Sequence, residues 1–522
     1  MLNSKKQIFI LEKPITQTEF ADLLQAPFAL KFHPASEHEH TFFDTFDWRL
    51  YAADRVLERF HNTFHMSNHK SGELVEKWTW RRKQLPKFSW ELPANSMRDV
   101  LAPILEERAL MPVVHSIRRI TPIEVKNEDA KTVVRMQWHD YRMKDQPADV
   151  HLLEISSVRG YDKEFALLEQ SLQDLNTVES ANAALFVLAE NTGRKSLDYS
   201  SKLNLHLKKE MTLAEACHQI FKRLFTVMQQ NQAGMRDDVD TEFLHDYRVA
   251  IRRTRSALSQ IKGVFPQEIR KHHQTQFSFL GKMTNRLRDL DVYLLAEDTY
   301  RNMVPGWMRD GLAGLFTYLK TERDKELKEF LIQLDKPETQ NLLQSWQSFI
   351  EKMKADPASA GKDASENVAS LSQSLIFKAY KKVKKNGAAI QPETPDAAVH
   401  ALRIDCKKLR YLMEFFESLY PEHEIKYLIK QLKKLQDNLG DFNDLAVQQD
   451  TLRTFIERHI QAGEKNQLGQ AVAIGGLIAA LHDRQITVRA EFQKTFATFA
   501  SEKNVALFKN LFQKEKTQKD SV

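Results

Sequence analysis

Hydrophobic and polar positions follow two different rhythms along the chain. Up to about residue 160, segments such as FFDTFDWRLYAADRVLERF, VEKWTWRR, VVHSIRRITPIEV, TVVRMQWHDYRM and DVHLLEISSVRG mix aromatic and β-branched residues with short-period alternation, which predicts strands. Residues 162–175 (DKEFALLEQSLQDL) then switch to helical spacing, and after the polar stretch NTGRKSLDYSSKLNLHL nearly everything reads as helix. The expected class is α+β, with an antiparallel β domain over residues 1–200 and an all-α domain over 205–512.

The helical part repeats itself. His245, Arg248, Arg255, Pro266, Asp289, Leu290 and Val292 recur as His400, Arg403, Arg410, Pro421, Asp444, Leu445 and Val447, at an offset of 155 without a gap. IFK at Ile220 recurs at Ile376, an offset of 156, and Gly314, Leu315, Leu319, Glu329 and Phe330 recur as Gly476, Leu477, Leu481, Glu491 and Phe492 at 162. Two helical repeats, about 210–353 and 366–510, joined through KADPASAGKDASENVAS, are expected to share an approximate two-fold axis.

Within each repeat one helix carries a basic stripe. At about 100° per residue, His245, Arg248, Arg252 and Arg255 fall within an arc of roughly 80°. The apolar Leu244, Tyr247, Ile251 and Leu258 occupy the adjacent arc. His400, Arg403, Lys407 and Arg410 repeat the spacing beside Val399, Leu402, Cys406 and Met413. A basic stripe beside the buried face, rather than opposite it, can line a cleft. One such helix is ordinarily solvated surface; the same spacing twice points to an anion site. No nucleophile or base accompanies the histidine in both copies, so no catalytic residue is assigned.

Bulk composition sharpens this only slightly. A chain of 522 residues is long for one core, so two or more domains are expected. The net charge of +6 is a mild bias, so anion binding must come from local arrangement. The only cysteines, Cys217 and Cys406, exclude a disulfide framework and give no metal-ligand spacing. The first apolar run is too short for a signal peptide, and LGQAVAIGGLIAAL falls short of the roughly 18 residues a membrane span needs. A cytoplasmic protein without membrane attachment is expected.

The doubled pattern H-x-x-R-[VI]-x-x-[RK]-[RK]-x-R, each copy followed by an acidic residue in RLRDLDV or DFNDLAV, resembles the CHAD domain over about residues 205–510. The resemblance implies two helical bundles about a pseudo-two-fold axis, with basic helices lining a cavity that binds inorganic polyphosphate, and association with polyphosphate granules. Carried over, the phosphate-facing positions are His245, Arg248, Arg252, Arg255, His400, Arg403, Lys407 and Arg410. Arg253 and Lys408 match the pattern as well, and Lys381, Lys382 and Lys385 are rim positions. Lysine at 407 and 408 keeps the charge but loses the bidentate fork. Polyphosphate has no base edges to read, and aromatic residues do not interleave with the arginines as a single-stranded nucleic-acid site requires, so nucleic acid is not the expected partner. Tail lysines such as Lys516 should matter little, because attraction is screened beyond about 8 Å.

In the first 200 residues FFDTFDWRLYAAD, WTWRR, FSWELP, RALMPVVHSIRR and LLEISSVRG resemble, in order, the strands of the CYTH family. That resemblance implies a closed triphosphate-tunnel barrel with metal-binding glutamates. The family opens on E-x-E-x-K, whereas this chain reads KKQIFILEK, and the late strand HLLEISSVRG keeps only Glu154. With so few oxygen ligands no Mg²⁺ or Mn²⁺ site, cofactor or triphosphatase activity is expected. Arg49, Arg59, Arg81, Arg118, Arg119 and Arg135 remain as cations for an anion, several of them expected to point outward. His61, His65 and His69 read as structural, and His245–Asp246, which resembles a metal phosphohydrolase pair, becomes His400–Ala401 in the second copy. The expected function is non-enzymatic polyphosphate binding; the alternatives are a metal-dependent triphosphatase and a nucleic-acid-binding scaffold.

Overall fold

The computed structural model describes residues 5–11, 16–24, 27–143, 150–174, 177–179, 183–353, 360–460 and 465–513. Residues 354–359 of the expected inter-repeat loop, and Lys516, lie outside the described residues. Contacts divide the chain into two units, Met1–Ser200 and Ser201–Val522.

The first unit holds strands β1 (Lys6–Leu11), β2 (Ala29–Phe32), β3 (Ser36–Asp44), β4 (Arg55–Phe60), β5 (Thr63–Asn68), β6 (Leu74–Thr79), β7 (Met111–Lys126), β8 (Thr132–Arg142), β9 (Val150–Ser157) and β10 (Thr177–Glu179). Its helices are α1 (Gln17–Leu23), α2 (Arg49–Ala52), α3 (Ser96–Leu105), α4 (Asp162–Asp174) and α5 (Ala183–Asn191). The stretch read as one strand run from Phe42 to Phe60 is broken by α2. The buried Asp44 carboxylate causes the break, accepting hydrogen bonds from the backbone N–H groups of Thr45, Leu50 and Tyr51 and turning the chain.

All ladders are antiparallel, in the order β10-β1-β9-β8-β7-β3-β4-β5-β6, with β2 also on β7. Strand parity sorts side chains onto two faces. Phe43, Leu57, Phe64 and Met66 pack against Met97, Leu101 and Leu105 of α3. Met136, Trp138, Leu153 and Ile155 pack against Phe165, Leu168 and Leu172 of α4. Residues of the other parity, among them Phe42, Glu58, His65, His139 and Glu154, line one cavity together with Lys6 of β1 and Leu74 of β6. The sheet therefore curls so that its distant strands face the same space. Among the described residues it does not close as the resemblance implied. The second edge of β1 is taken by β10 at Phe9, Ile10 and Leu11, which leaves β6 an edge strand with Leu74 55% exposed.

The second unit is helical: α6 (Leu213–Arg236), α7 (Thr241–Gln260), α8 (Gln267–Met283), α9 (Asn285–Leu295), α10 (Glu297–Met303), α11 (Ala313–Asp335), α12 (Pro337–Lys352), α13 (Val368–Ala388), α14 (Asp396–Phe415), α15 (Glu422–His459), α16 (Lys465–Phe499) and α17 (Glu502–Phe512). Leu213 to Val368, Thr241 to Asp396 and Gln267 to Glu422, the starts of three helix pairs, are each 155 positions apart. The IFK match at 156 is one position out. The buried faces align at 155, which pairs Phe221 with Ile376.

A local two-fold axis is explicit in the hydrogen bonds. Leu213 N–H donates to the Glu366 carbonyl at 2.8 Å and Val368 N–H to the Met211 carbonyl at 3.0 Å, around a bridge between Thr212 and Asn367. Exchanging every residue for its mate turns one bond into the other. The repeats then diverge: α15 runs 38 residues unbroken where the first repeat divides into α8, α9 and α10. No helix among the described residues is long and apolar enough to cross a membrane.

Candidate anion-binding site

Helix α7 begins at Asp240, whose carboxylate accepts hydrogen bonds from the N–H groups of Glu242 and Phe243. Leu244, Tyr247, Ile251 and Leu258 are buried, which leaves Arg248 and Arg252 half-buried at the margin and Arg255 exposed. On α14, Val399, Leu402, Cys406 and Met413 are buried and set Arg403, Lys407 and Arg410 at the same margin. Helices α7 and α14 touch, and Arg252 lies within electrostatic reach of both Arg248 and Lys407. The two stripes form one cationic cluster.

Partners separate the members of that cluster. Arg248 donates to neutral oxygens, Thr284 Oγ1 at 3.1 Å, the Gly281 carbonyl at 3.4 Å and Asn285 Oδ1, while the carboxylate of Asp289 lies within electrostatic reach. Its mate Arg403 instead bonds a carboxylate, Asp444 Oδ1, at 3.0 Å. Arg252, Arg255 and Lys407 make no hydrogen bond or ion pair with any described residue, and Arg252 Nε is buried without a partner. Arg410 lies 3.3 Å from Glu414. His400 hydrogen-bonds Asn443, and His245 is half-buried.

The proximity of like charges leaves a mark. Burial first, then the charge of Arg252, brings Arg248 down to about 10. Burial, then Arg403 and Arg252, brings Lys407 down to about 8. The fold holds the cluster together against its own charge repulsion, which a bound anion would offset.

The remaining sequence candidates lie elsewhere. Arg253 turns away to Glu414 Oε2 and the Ser201 carbonyl, both at 2.9 Å. Lys408 is exposed off the stripe, where its backbone carbonyl accepts from Gln260. Lys382 bonds the buried Asp405 at 2.7 Å. Asp405 sits roughly 160° around α14 from the stripe at about 100° per residue, so α13 does not form the expected rim on this side. Lys381 lies over the Phe377 ring and Lys385 is exposed on the same helix. Sequence reading missed Glu414, which engages two cations, and Thr284 and Asn285, which hold Arg248. Glu414 lies at helical spacing from Arg410, a signal that was available; Thr284 and Asn285 lie on another helix and gave none.

In the strand unit, the cavity of about 280 Å³ is lined by Lys6, Glu58, His65, Arg118, His139, Tyr141 and Glu154 among others. Of the six arginines considered from sequence only Arg118 reaches it. Arg59 lines a separate cavity with His61, Arg49 pairs with Asp47 and Glu106, and Arg81, Arg119 and Arg135 are exposed. His61, His65 and His69 go to three places, His69 stacking on Tyr51. The structure adds a second carboxylate, Glu58, that sequence reading did not place here.

Both carboxylates are engaged. His40 Nε2 contacts Glu58 at 2.9 Å, and Lys6 and His139 lie 3.0 and 3.7 Å from Glu154. Burial alone would raise both acids. The hydrogen bond from His40 to Glu58, and for Glu154 the close approach of His139 and the Lys6 ammonium, outweigh it and hold each at about 2. The donor set does not fit a divalent metal: no three His, Cys, Asp or Glu among the described residues are placed to share an ion.

Comparison with known proteins bears on the helical unit most directly. Residues 219–453 match the family model of the CHAD domain, so this unit carries one. A search of curated proteins returned no match. Similar solved structures include the CHAD domain from the plant Ricinus communis, with 25% identity, 54% of this chain and 96% of that chain covered, and a TM-score of 0.45. PptA from Streptomyces chartreusis shows 14% identity over 55% and 99%, with a TM-score of 0.43. A putative adenylyl cyclase from Hippeastrum, described as having a dominant triphosphatase activity, shows 14% identity over 38% of this chain and 100% of that chain, with a TM-score of 0.25.

Proposed function

We propose that the CHAD domain of this chain binds inorganic polyphosphate without chemical turnover, on the cluster formed by Arg248, Arg252, Arg255, Arg403 and Lys407, and that this binding can bring the protein to polyphosphate granules. One observation carries the reading: Arg252, Arg255 and Lys407 stand together with no counter-charge bonded to them. A regularly charged polyanion supplies those counter-charges and gains affinity from released counterions.

The proposed site is unequal between the repeats. In the first repeat Arg252 and Arg255 pair with no acid among the described residues, while in the second Asp444 and Glu414 already hold Arg403 and Arg410. First-repeat arginines therefore carry more of the affinity. The test is titration of the full chain with labelled long-chain polyphosphate at several salt concentrations, beside an RNA of equal charge. Each lost phosphate contact should lower the slope of log affinity against log salt by roughly 0.7 to 0.9. Equal binding of RNA and polyphosphate, with no change in Arg252→Ala plus Arg255→Ala, would remove the cluster from the site.

A further inference from the structure

The cavity of the strand unit poses a separate question, because its charges are balanced rather than accumulated. Lys6 and Arg118 are its fixed cations and Glu58 and Glu154 its carboxylates. His40, His65 and His139 are all held below the ordinary imidazole range, chiefly by burial, so at neutral pH they add little charge. A triphosphate, with four or more negative charges, would face both glutamates with only two cations to offset them. Among the described residues no third protein ligand joins Glu58 and Glu154 to hold a bridging metal.

Arg118 lies within electrostatic reach of Glu58, but its fork is not bonded to it. Its Nε donates to His139 Nδ1 at 3.2 Å, so a neutral His139 keeps its proton on Nε2, the nitrogen facing Glu154. Its guanidinium carbon sits 5.4 Å from the Tyr141 ring centre and 5.8 Å from that of Phe60, which fixes the plane of the fork. The terminal nitrogens make no hydrogen bond or ion pair with any described residue. They belong to a cavity whose other walls include Ile8, Phe42, Tyr141 and Leu152, which are apolar or aromatic.

We infer that this cavity binds a small monocarboxylate with an apolar body, its carboxylate on the Arg118 fork and its body against Ile8, Phe42 and Leu152, without metal. A planar carboxylate matches two parallel N–H donors. A single negative charge is the smallest excess a ligand can bring to a cavity whose two fixed cations already face two glutamates. The apolar walls give the ligand body a surface that a phosphate chain would not use. This inference is independent of the helical unit.

The experiment uses the full chain and benzoate, followed by saturation-transfer NMR titration, with tripolyphosphate plus Mg²⁺ as competitor. Saturable benzoate binding that tripolyphosphate does not displace is expected, weakened at least about tenfold in Arg118→Met by loss of a charge-assisted bidentate pair. Leu74→Glu, on the exposed lip, should weaken it as well at little cost to folding. Arg252→Ala with Arg255→Ala should leave it unchanged, which keeps this site distinct from the polyphosphate cluster. Benzoate binding that survives in both cavity variants overturns the inference, as does displacement by tripolyphosphate. If Arg118→Met does not fold, Leu74→Glu decides by the same criterion.

Discussion

In the strand unit Lys6 lies 3.0 Å from Glu154 and the buried His40 lies 2.9 Å from Glu58; in the helical unit Arg252, Arg255 and Lys407 are bonded to no acid among the described residues. Both regions are built from arginine, lysine, histidine and carboxylates. Counting cations along the sequence would rate them alike, since each contributes several basic residues. What separates them is whether each cation has a partner. The same criterion sorts residues within the helical unit, where Arg253 and Arg410 share Glu414 while Arg252 and Arg255 share nothing.

The strongest way to break this comparison is charge reversal. Arg252→Glu with Arg255→Glu should weaken polyphosphate binding by about 100-fold or more, from two lost charge-assisted contacts. Arg403→Glu with Arg410→Glu should cost clearly less, since those cations already have acids. Fluorescence polarisation at fixed salt reads both, and equal losses would refute the asymmetry.

The reverse experiment sharpens the comparison. Glu414→Gln frees Arg410 and Arg253 from a carboxylate and should tighten binding by about three- to tenfold, the value of one surface-type charge pair or slightly more. Unchanged affinity would mean that Glu414 lies outside the reach of the ligand.

Proton linkage gives a smaller effect. Lys407 titrates at about 8 in the free protein, below the ordinary lysine value of 10.5, and a bound polyanion raises it. Binding therefore takes up protons once the pH exceeds about 8, and affinity should fall as pH rises from there, by at most tenfold per pH unit. Lys407→Arg, charged throughout, should flatten the profile measured between pH 7 and 9.5.

The smallest expected effect is on stability. Glu58 and Glu154 have folded values near 2 against 4.5 for a free glutamate. Their contribution is fully present above about pH 4.5 and is lost as pH falls toward 2. Glu58→Gln should reduce the loss seen between those limits by circular dichroism at 222 nm and near-ultraviolet wavelengths.

Much of the helical fold was legible in the sequence because repetition fixes register. An offset of 155 carries helix starts, turns and the basic stripe together, and the apolar arc beside each stripe forces the arginines to a margin. The partners were not legible. Thr284 and Asn285 reach Arg248 from another helix, and only packing tells Arg253, on Glu414, from Arg252, one residue before it. In the strand unit, alternation announced strands but not which parity faces the cavity. Alternation therefore neither marks Glu58 as lining the cavity nor tells Arg118 from the five arginines that do not line it. The break at Asp44 was hidden because a buried carboxylate capping three N–H groups leaves no periodic trace.

The paired bonds across Thr212 and Asn367 have one more consequence. A linear phosphate chain has no head or tail, so turning it end for end returns the same molecule. The backbone frame repeats under a half-turn while its cations do not, since Arg403 and Arg410 hold acids and Arg252 and Arg255 hold none among the described residues; a headless chain can still enter such a frame from either end. Reversal costs nothing, and no encounter is lost to wrong polarity. A nucleic acid strand, with distinct 5′ and 3′ directions, has no such freedom.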